Sequence, residues 1–186
     1  PASAAGPNLN EIIAGSEGVL GIITEATVAL HPAPEKGAAR AYIMPSWEAG
    51  LEAVRKLVHE KTGASMVRLS DYPETYFFSK FRSLGRKSGL SSWFSRLFKR
   101  ILSLDEPCVL LVGTEGSRKE VKKALRSSSA VIRKCKGIPV GSGPAGSWSK
   151  ERFETPYLRD QLLAQGVGVD TLETSTVWSN MSHLHA

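Results

Sequence analysis

The sequence is poor in the residues that build disulfide frameworks and metal centres. It has two cysteines and four histidines among 186 residues. Cys108 lies in an apolar run and Cys135 lies among lysines, so the two settings are too unlike for a disulfide framework, and we expect both thiols to be reduced. No cluster of histidine, cysteine and acidic residues has the spacing of metal ligands. We therefore expect no metal site.

The sequence also lacks a long hydrophobic run. A membrane-spanning helix needs about 20 mainly apolar residues, and no stretch approaches that length or resembles a secretory signal. With 41% hydrophobic and 23% charged residues, the composition is typical of a soluble globular protein, which we expect in the cytoplasm. Because the chain begins at Pro1 and a helix-like segment is still running at Ala186, we expect a piece of a longer protein.

Strand-like and helix-like segments follow one another after the prolines at Pro32 and Pro34. Runs of β-branched and apolar residues predict strands, at residues 39–44, 66–69, 108–113, 131–140 and 167–174. Apolar residues at helical spacing predict helices, at residues 46–59, 72–82, 117–127, 150–165 and from 179 onward. Residues 141–147 are glycine-rich and are predicted to be a flexible connection. This order predicts an α+β fold in which an antiparallel sheet is covered by helices.

A glycine-rich turn lies in the segment before the prolines. Residues 9–13 and 21–30 are predicted to be extended, and between them Gly15, Gly18 and Gly21 would let backbone amides approach an anionic ligand closely. Glycines in a tight turn also serve purely structural purposes. The spacing fits neither a phosphate-binding P-loop nor a dinucleotide-binding fingerprint, so both interpretations stay open on these residues alone.

The complete string GSEGVLGIITEAT at residues 15–27, followed by Pro-Ala-Pro-Glu at residues 32–35, is more specific. It closely resembles the end of the FAD domain in flavoproteins of the vanillyl-alcohol oxidase type. The resemblance implies FAD as the cofactor, bound along Glu17, Gly18, Val19, Leu20, Gly21, Ile22 and Ile23. It also implies that residues 1–34 end an FAD-binding domain and that residues 35–186 begin an incomplete substrate (cap) domain.

Two later segments resemble the alkyldihydroxyacetonephosphate synthase family. They are SMVRLSD at residues 65–71, and TPYLRD at residues 155–160 together with LETSTVW at residues 172–178. The resemblance implies that Arg68 lies near the flavin and serves catalysis, and that Arg159 binds the phosphate or carboxylate of a small-molecule substrate. It further implies a homo-oligomeric, ether-lipid-synthesising enzyme whose acid and base would lie beyond Ala186.

Both arginines also have simpler explanations. The guanidinium of Arg159 suits a phosphate or carboxylate, but a local salt bridge to Asp160 or Glu154 would equally satisfy it. Arg68 lies in a short apolar strand, where a cation needs a partner or a cavity. A buried ion pair with Asp71 would supply that partner.

A basic and aromatic stretch runs from Ser91 to Ser103. Its apolar residues fall on one side of a helix, and Arg96, Lys99 and Arg100 fall on the other. Such a helix suits peripheral contact of Trp93–Leu102 with an anionic membrane, although packing within its own domain is an equal alternative. Nucleic acid is not expected, because a recognition motif and base-stacking aromatics on a sheet are both missing.

Three functions are therefore compatible with the sequence. The favoured one is a flavoenzyme of the alkyldihydroxyacetonephosphate synthase type. The second is an FAD-linked dehydrogenase of a 2-hydroxy acid such as lactate or glycolate. The third is a non-catalytic module that binds a membrane or an acidic partner.

Overall fold

The computed structural model describes residues 6–77, 104, 106–146 and 156–185. The chain divides into two compact units between Ala33 and Pro34, and each is described by itself. The assignment of residues 1–34 to an FAD-binding domain and of residues 35–186 to a substrate domain stays a prediction.

The first unit has little regular structure. Helix α1, Leu9–Ile13, begins after Asn8, whose side chain accepts a hydrogen bond of 3.1 Å from the Asn10 amide. The prediction of an extended segment here is wrong, because the Asn N-cap favours a helix start. The strand predicted at residues 21–30 is also missing. β-branched residues form a strand only where another strand pairs with them, and no described segment of this unit does so.

The second unit contains a four-stranded antiparallel sheet in the order β2-β3-β1-β4. Its strands are β1 Lys36–Met44, β2 Met66–Ser70, β3 Cys108–Gly116 and β4 Ile138–Gly141. Helix α2, Trp47–His59, connects β1 to β2, and helix α3, Arg118–Lys134, connects β3 to β4. Apart from the residues between β2 and β3, these elements follow the βαββαβ order of a ferredoxin-like fold. The predicted α+β fold, an antiparallel sheet covered by helices, is confirmed.

Helices α2 and α3 pack on the same face of the sheet. The largest side chains between them are at most 2% exposed, and they are Tyr42, Met44, Leu57, Leu110 and Ile132. One hydroxyl pair is buried with them: the oxygens of Tyr42 and Ser129 are 2.7 Å apart. Ser129 donates its own proton to the Leu125 carbonyl at 2.6 Å, so the Tyr42 hydroxyl is left to donate to Ser129.

The end of α3 differs from the prediction. The helix was predicted to end at Ser127 and a strand to begin at Val131, yet the helix continues to Lys134 and β4 begins only at Ile138. Val131 and Ile132 continue the buried face of the helix, and this packing outweighs their β-propensity. A positive φ of 63° at Lys136 then turns the chain into β4.

The remaining predicted elements are confirmed in part. Residues 72–77 are helical, and the rest of the helix predicted at 72–82 lies outside the described residues. Residues 143–146 of the predicted flexible connection form a helical turn. Helix α4 is Pro156–Leu163, and a 3₁₀ turn at Trp178–Asn180 leads into helix α5, Met181–His185. The described residues 167–174 form no strand, contrary to the prediction.

Helix α3 begins at a capping box. The Ser117 hydroxyl accepts a hydrogen bond of 3.3 Å from the Glu120 amide, and the Glu120 carboxylate accepts from the Ser117 hydroxyl and amide at 2.6 and 2.8 Å. These hydrogen bonds hold the pKa of Glu120 below its usual value. Ser117→Ala is expected to lower the free energy of unfolding by about 1 kcal/mol, measured by urea denaturation. Ser127→Ala, within the same helix, is the control, and an equal loss there would contradict the capping role.

Candidate functional site

Residues 15–23 form a loop whose backbone favours glycine. Gly15, Gly18 and Gly21 have φ angles of 85°, 83° and 152°, and Glu17 lies between them at 52°. The left-handed region is costly for residues with a side chain. A Cβ added to any of these three glycines would meet no atom within 4 Å. These positions therefore favour glycine because of their backbone conformation. Lack of space is not the reason, since the neighbouring atoms would leave room for a side chain.

The loop presents both polar and apolar groups. Two backbone hydrogen bonds close turns in the loop. The Ser16 amide donates to the Ile13 carbonyl at 3.1 Å, and the Val19 amide donates to the Ser16 carbonyl at 3.0 Å. Among the described residues, no hydrogen bond involves the amides of residues 20–23. The apolar side chains beside them are between 60% and 92% exposed, and they are Val19, Leu20, Ile22 and Ile23. Free amides next to apolar side chains fit a dinucleotide such as FAD, which has anionic and apolar parts.

Arg68 lies on β2, at one edge of the described sheet, and its side chain is 42% exposed. It donates a hydrogen bond to Glu74 at 2.5 Å, which closes an ion pair. The alternative of a buried ion pair with Asp71 is therefore wrong. Asp71 instead accepts a hydrogen bond of 2.9 Å from the Glu74 amide and so positions the helical residues that carry Glu74. Whether Arg68 lies near a flavin stays a prediction.

Arg159 lies on α4 and is exposed. The alternative of a local salt bridge finds no support at Asp160, because no ion pair of Arg159 occurs within the part of the chain that the structure describes. Glu154, the other candidate partner, lies outside that part. Nor do the described residues bring Arg159 into contact with Arg68. The role of Arg159 in substrate binding stays a prediction.

A cluster of His185, Trp47 and Asp71 lies in the second unit, and no sequence pattern predicts it. The imidazole of His185 stacks on Trp47, with ring centroids 3.9 Å apart and 13° between the planes. Its Nε2 lies 3.4 Å from the Asp71 carboxylate. Helix α5 is thereby held against the start of α2 and the end of β2. His185 is more than a hundred residues from both Trp47 and Asp71 in sequence, so no local pattern could have revealed these contacts.

Cys108 is the first residue of β3 and is buried. Burial raises the pKa of Cys108 to about 11, with smaller contributions from the carboxylates of Asp71, Glu48 and Glu106. A cysteine acts as a nucleophile or metal ligand only as the thiolate. Cys108 therefore stays a protonated thiol at neutral pH and belongs to the core.

The described ranges contain neither a cluster of metal ligands nor a membrane-spanning helix. No group of three or more histidine, cysteine and acidic residues there could hold a metal ion. No helix among those residues is long and apolar enough to cross a membrane.

Similar proteins are found over nearly the whole chain. The alkyldihydroxyacetonephosphate synthase of Dictyostelium discoideum is 31% identical over 188 residues, which cover 98% of this chain and 30% of that protein. A solved structure of an alkyldihydroxyacetonephosphate synthase matches with a TM-score of 0.77 at 30% identity, covering 99% of this chain and 35% of the other. Glycolate oxidase subunit GlcD of Bacillus subtilis is 24% identical over 73% of this chain and spans 26% of that protein. This chain thus spans about a third of the length of the synthases that it matches.

A family model matches the whole of the second unit. Residues 33–186 match the family described as FAD linked oxidases, C-terminal domain. The resemblance to FAD-dependent flavoproteins and to the synthases is thereby confirmed, and FAD is the cofactor of the family. The chain belongs to the FAD-linked oxidase family.

Proposed function

We propose that the full-length protein is an FAD-dependent enzyme of the alkyldihydroxyacetonephosphate synthase type. The observation that carries this proposal is the extent of the likeness to the synthases, which covers at least 98% of the chain at about 30% identity. It includes both the glycine loop and the Arg159 helix. The reaction would exchange the acyl chain of a phosphate-bearing substrate for an alkyl chain, a step of ether-lipid synthesis.

The residues of this chain would bind and orient the reactants. The loop from Glu17 to Ile23 would hold FAD, with its free amides toward the diphosphate and its apolar side chains excluding water. Bound FAD would supply the N5 atom that takes part in the exchange without net redox change. Arg68, oriented by Glu74, would place a positive charge near the flavin. Arg159 would bind the substrate phosphate with two parallel N–H donors.

A second candidate function is oxidation of a small 2-hydroxy acid. The likeness to a glycolate oxidase subunit supports it, over 136 residues at 24% identity. In that reaction Arg159 would bind the substrate carboxylate in the same manner. The lower identity and shorter coverage favour the synthase-type function.

Further parts of the proposal concern partners and location. They are a homo-oligomeric assembly, no binding of nucleic acid, and a cytoplasmic protein with peripheral membrane contact through Trp93–Leu102. That segment lies outside the described residues. A non-catalytic module that binds a membrane or an acidic partner is the alternative of another class.

The test is the absorbance spectrum and the reaction of the purified full-length protein. We expect the visible bands of bound flavin, release of fatty acid from an acyl dihydroxyacetone phosphate, and uptake of a long-chain alcohol without consumption of an electron acceptor. Oxidation of lactate or glycolate in place of this exchange would establish the second function. A colourless protein without flavin would contradict both enzyme functions.

A further inference from the structure

Helix α3 carries a cationic face that the proposed function does not use. Its exposed cations are Arg118, Lys119, Lys122, Lys123, Arg126, Arg133 and Lys134. Four more exposed cations flank the helix: Lys36 and Arg40 on β1, Lys61 after α2, and Lys136 in the following turn. These eleven cations, with Glu35, Glu60 and Glu120 beside them, form the α3 face. Its surplus of eight positive charges exceeds the net charge of +6 on the whole chain.

The acids near this face do not neutralise it. Glu35 pairs with Arg118 at 2.9 Å, and Glu120 is hydrogen-bonded within the capping box. The other cations of the face have no ion pair among the described residues. On α2, in contrast, Arg55 and Lys56 both pair with Glu52, at 2.8 and 3.2 Å. Uncompensated like charges one helical turn apart repel each other, so binding of an external anion would lower the electrostatic energy of the α3 face.

The shape of the face matches an extended anionic surface. The buried side of α3 packs on the sheet through Val121, Ala124, Val131 and Ile132, so its cations project outward. A helix of 17 residues is about 25 Å long, which makes α3 a ridge of positive charge. Lys36 and Arg40 widen this ridge on one side and Lys61 widens it on the other. One small ligand could not contact all of these cations at once.

The chemistry of the face indicates charge-based contact without insertion. Within residues 106–146, no large hydrophobic side chain is exposed. Helix α3 therefore offers no large apolar side chain to enter a hydrocarbon layer and no ring to stack on a nucleic-acid base. We propose that the α3 face docks the protein on the surface of an anionic lipid bilayer, with its cations against the lipid phosphates. This proposal goes beyond the catalytic function and does not depend on it, and it places the membrane contact on the α3 face in place of Trp93–Leu102.

The expected size of the effect follows from the charges. A lysine or arginine near an anionic membrane contributes about 1 kcal/mol, which is about fivefold in partitioning. Lys122→Gln combined with Lys123→Gln should therefore weaken vesicle binding about thirtyfold. Because exposed charges are screened by salt, binding should be lost as the ionic strength rises from about 0.05 M to 0.5 M.

The experiment is co-sedimentation of the flavin-loaded full-length protein with vesicles of phosphatidylcholine and phosphatidylserine. The matched control is Arg55→Gln combined with Lys56→Gln, which removes the same number of positive charges from α2, where both cations are paired with Glu52. We expect the control variant to bind vesicles within about twofold of the unmodified protein. Flavin content and melting temperature should stay unchanged in both variants.

Several outcomes would overturn the proposal. Equal losses in the two double variants would show that only net charge matters. Binding that persists at high salt would indicate insertion of another segment, and preference for an oligonucleotide over vesicles would indicate a nucleic-acid surface. If the exchange reaction is absent while vesicle binding follows the expected pattern, the proposed enzyme function fails and the docking face stands.

Discussion

Replacing Arg159 by alanine in the full-length protein is expected to raise the Michaelis constant for a phosphate-bearing substrate by about one to three orders of magnitude. A hydrogen bond to a charged group contributes about 1.5–3 kcal/mol, and a guanidinium can donate two to one phosphate. The side chain of Arg159 is exposed, and within the described residues no ion pair of Arg159 competes with these bonds. Steady-state kinetics with varied substrate concentration measure the effect.

Two further variants separate substrate binding from other roles. Arg159→Lys keeps the charge but loses the planar pair of donors, so its Michaelis constant should lie between those of the unmodified protein and Arg159→Ala. Arg68→Ala should lower turnover more than affinity, because Arg68 is assigned to the flavin. Flavin content should not change in the Arg159 variants. An unaltered Michaelis constant in Arg159→Ala, or loss of its FAD, would refute the substrate role.

Replacing Ile132 by alanine is expected to lower the free energy of unfolding by about 2–5 kcal/mol. The Ile132 side chain is 0% exposed and belongs to the core cluster that contains Met44 and Leu110. Its truncation removes buried apolar surface and leaves a cavity that the packed sheet cannot fill. Because a domain is typically stable by only about 5–15 kcal/mol, this loss is large. Chemical denaturation of the unmodified and variant chains measures it.

Two variants calibrate this prediction. Ile132→Val removes one methylene group and should cost about 0.5–1.5 kcal/mol. Val58→Ala removes apolar atoms from a helix position that is 55% exposed, and it should change stability by less than about 0.5 kcal/mol. If Ile132→Ala lowers the free energy of unfolding no more than Val58→Ala does, the buried face of α3 does not pack in the core as described.

The sheet and its covering helices could be predicted largely from local patterns. The strand predicted at residues 39–44 is the buried end of β1, and the N-cap predicted at Ser46 starts α2, where the Ser46 hydroxyl accepts from the Ala49 amide at 3.3 Å. These features depend on residues close in sequence. The predicted strand at residues 21–30 failed for the opposite reason, since the same residues form a strand only beside a pairing partner.

In the candidate site, too, features that depend on neighbouring residues could be predicted, and contacts that depend on the fold could not. The glycine string indicated the FAD-linked family because it is one continuous run of residues, so its likeness to the flavoproteins can be recognised without the fold. The alternative ion pair of Arg68 with Asp71 is wrong, because Asp71 and Glu74 are both close to Arg68 in sequence and only the helical turn decides which carboxylate faces the guanidinium. The stacking of His185 on Trp47 left no pattern at all.

The sequence by itself determined the family, the α+β class and the positions of most helices and strands, because each rests on interactions between neighbouring residues. Only the tertiary structure decided where α3 ends, since Ile132 is kept helical by packing against the sheet. The tertiary structure alone also places Lys36, Arg40 and Lys61 beside the cations of α3. Contacts between residues far apart in the chain depend on the packing of whole elements, which no local run of residues specifies.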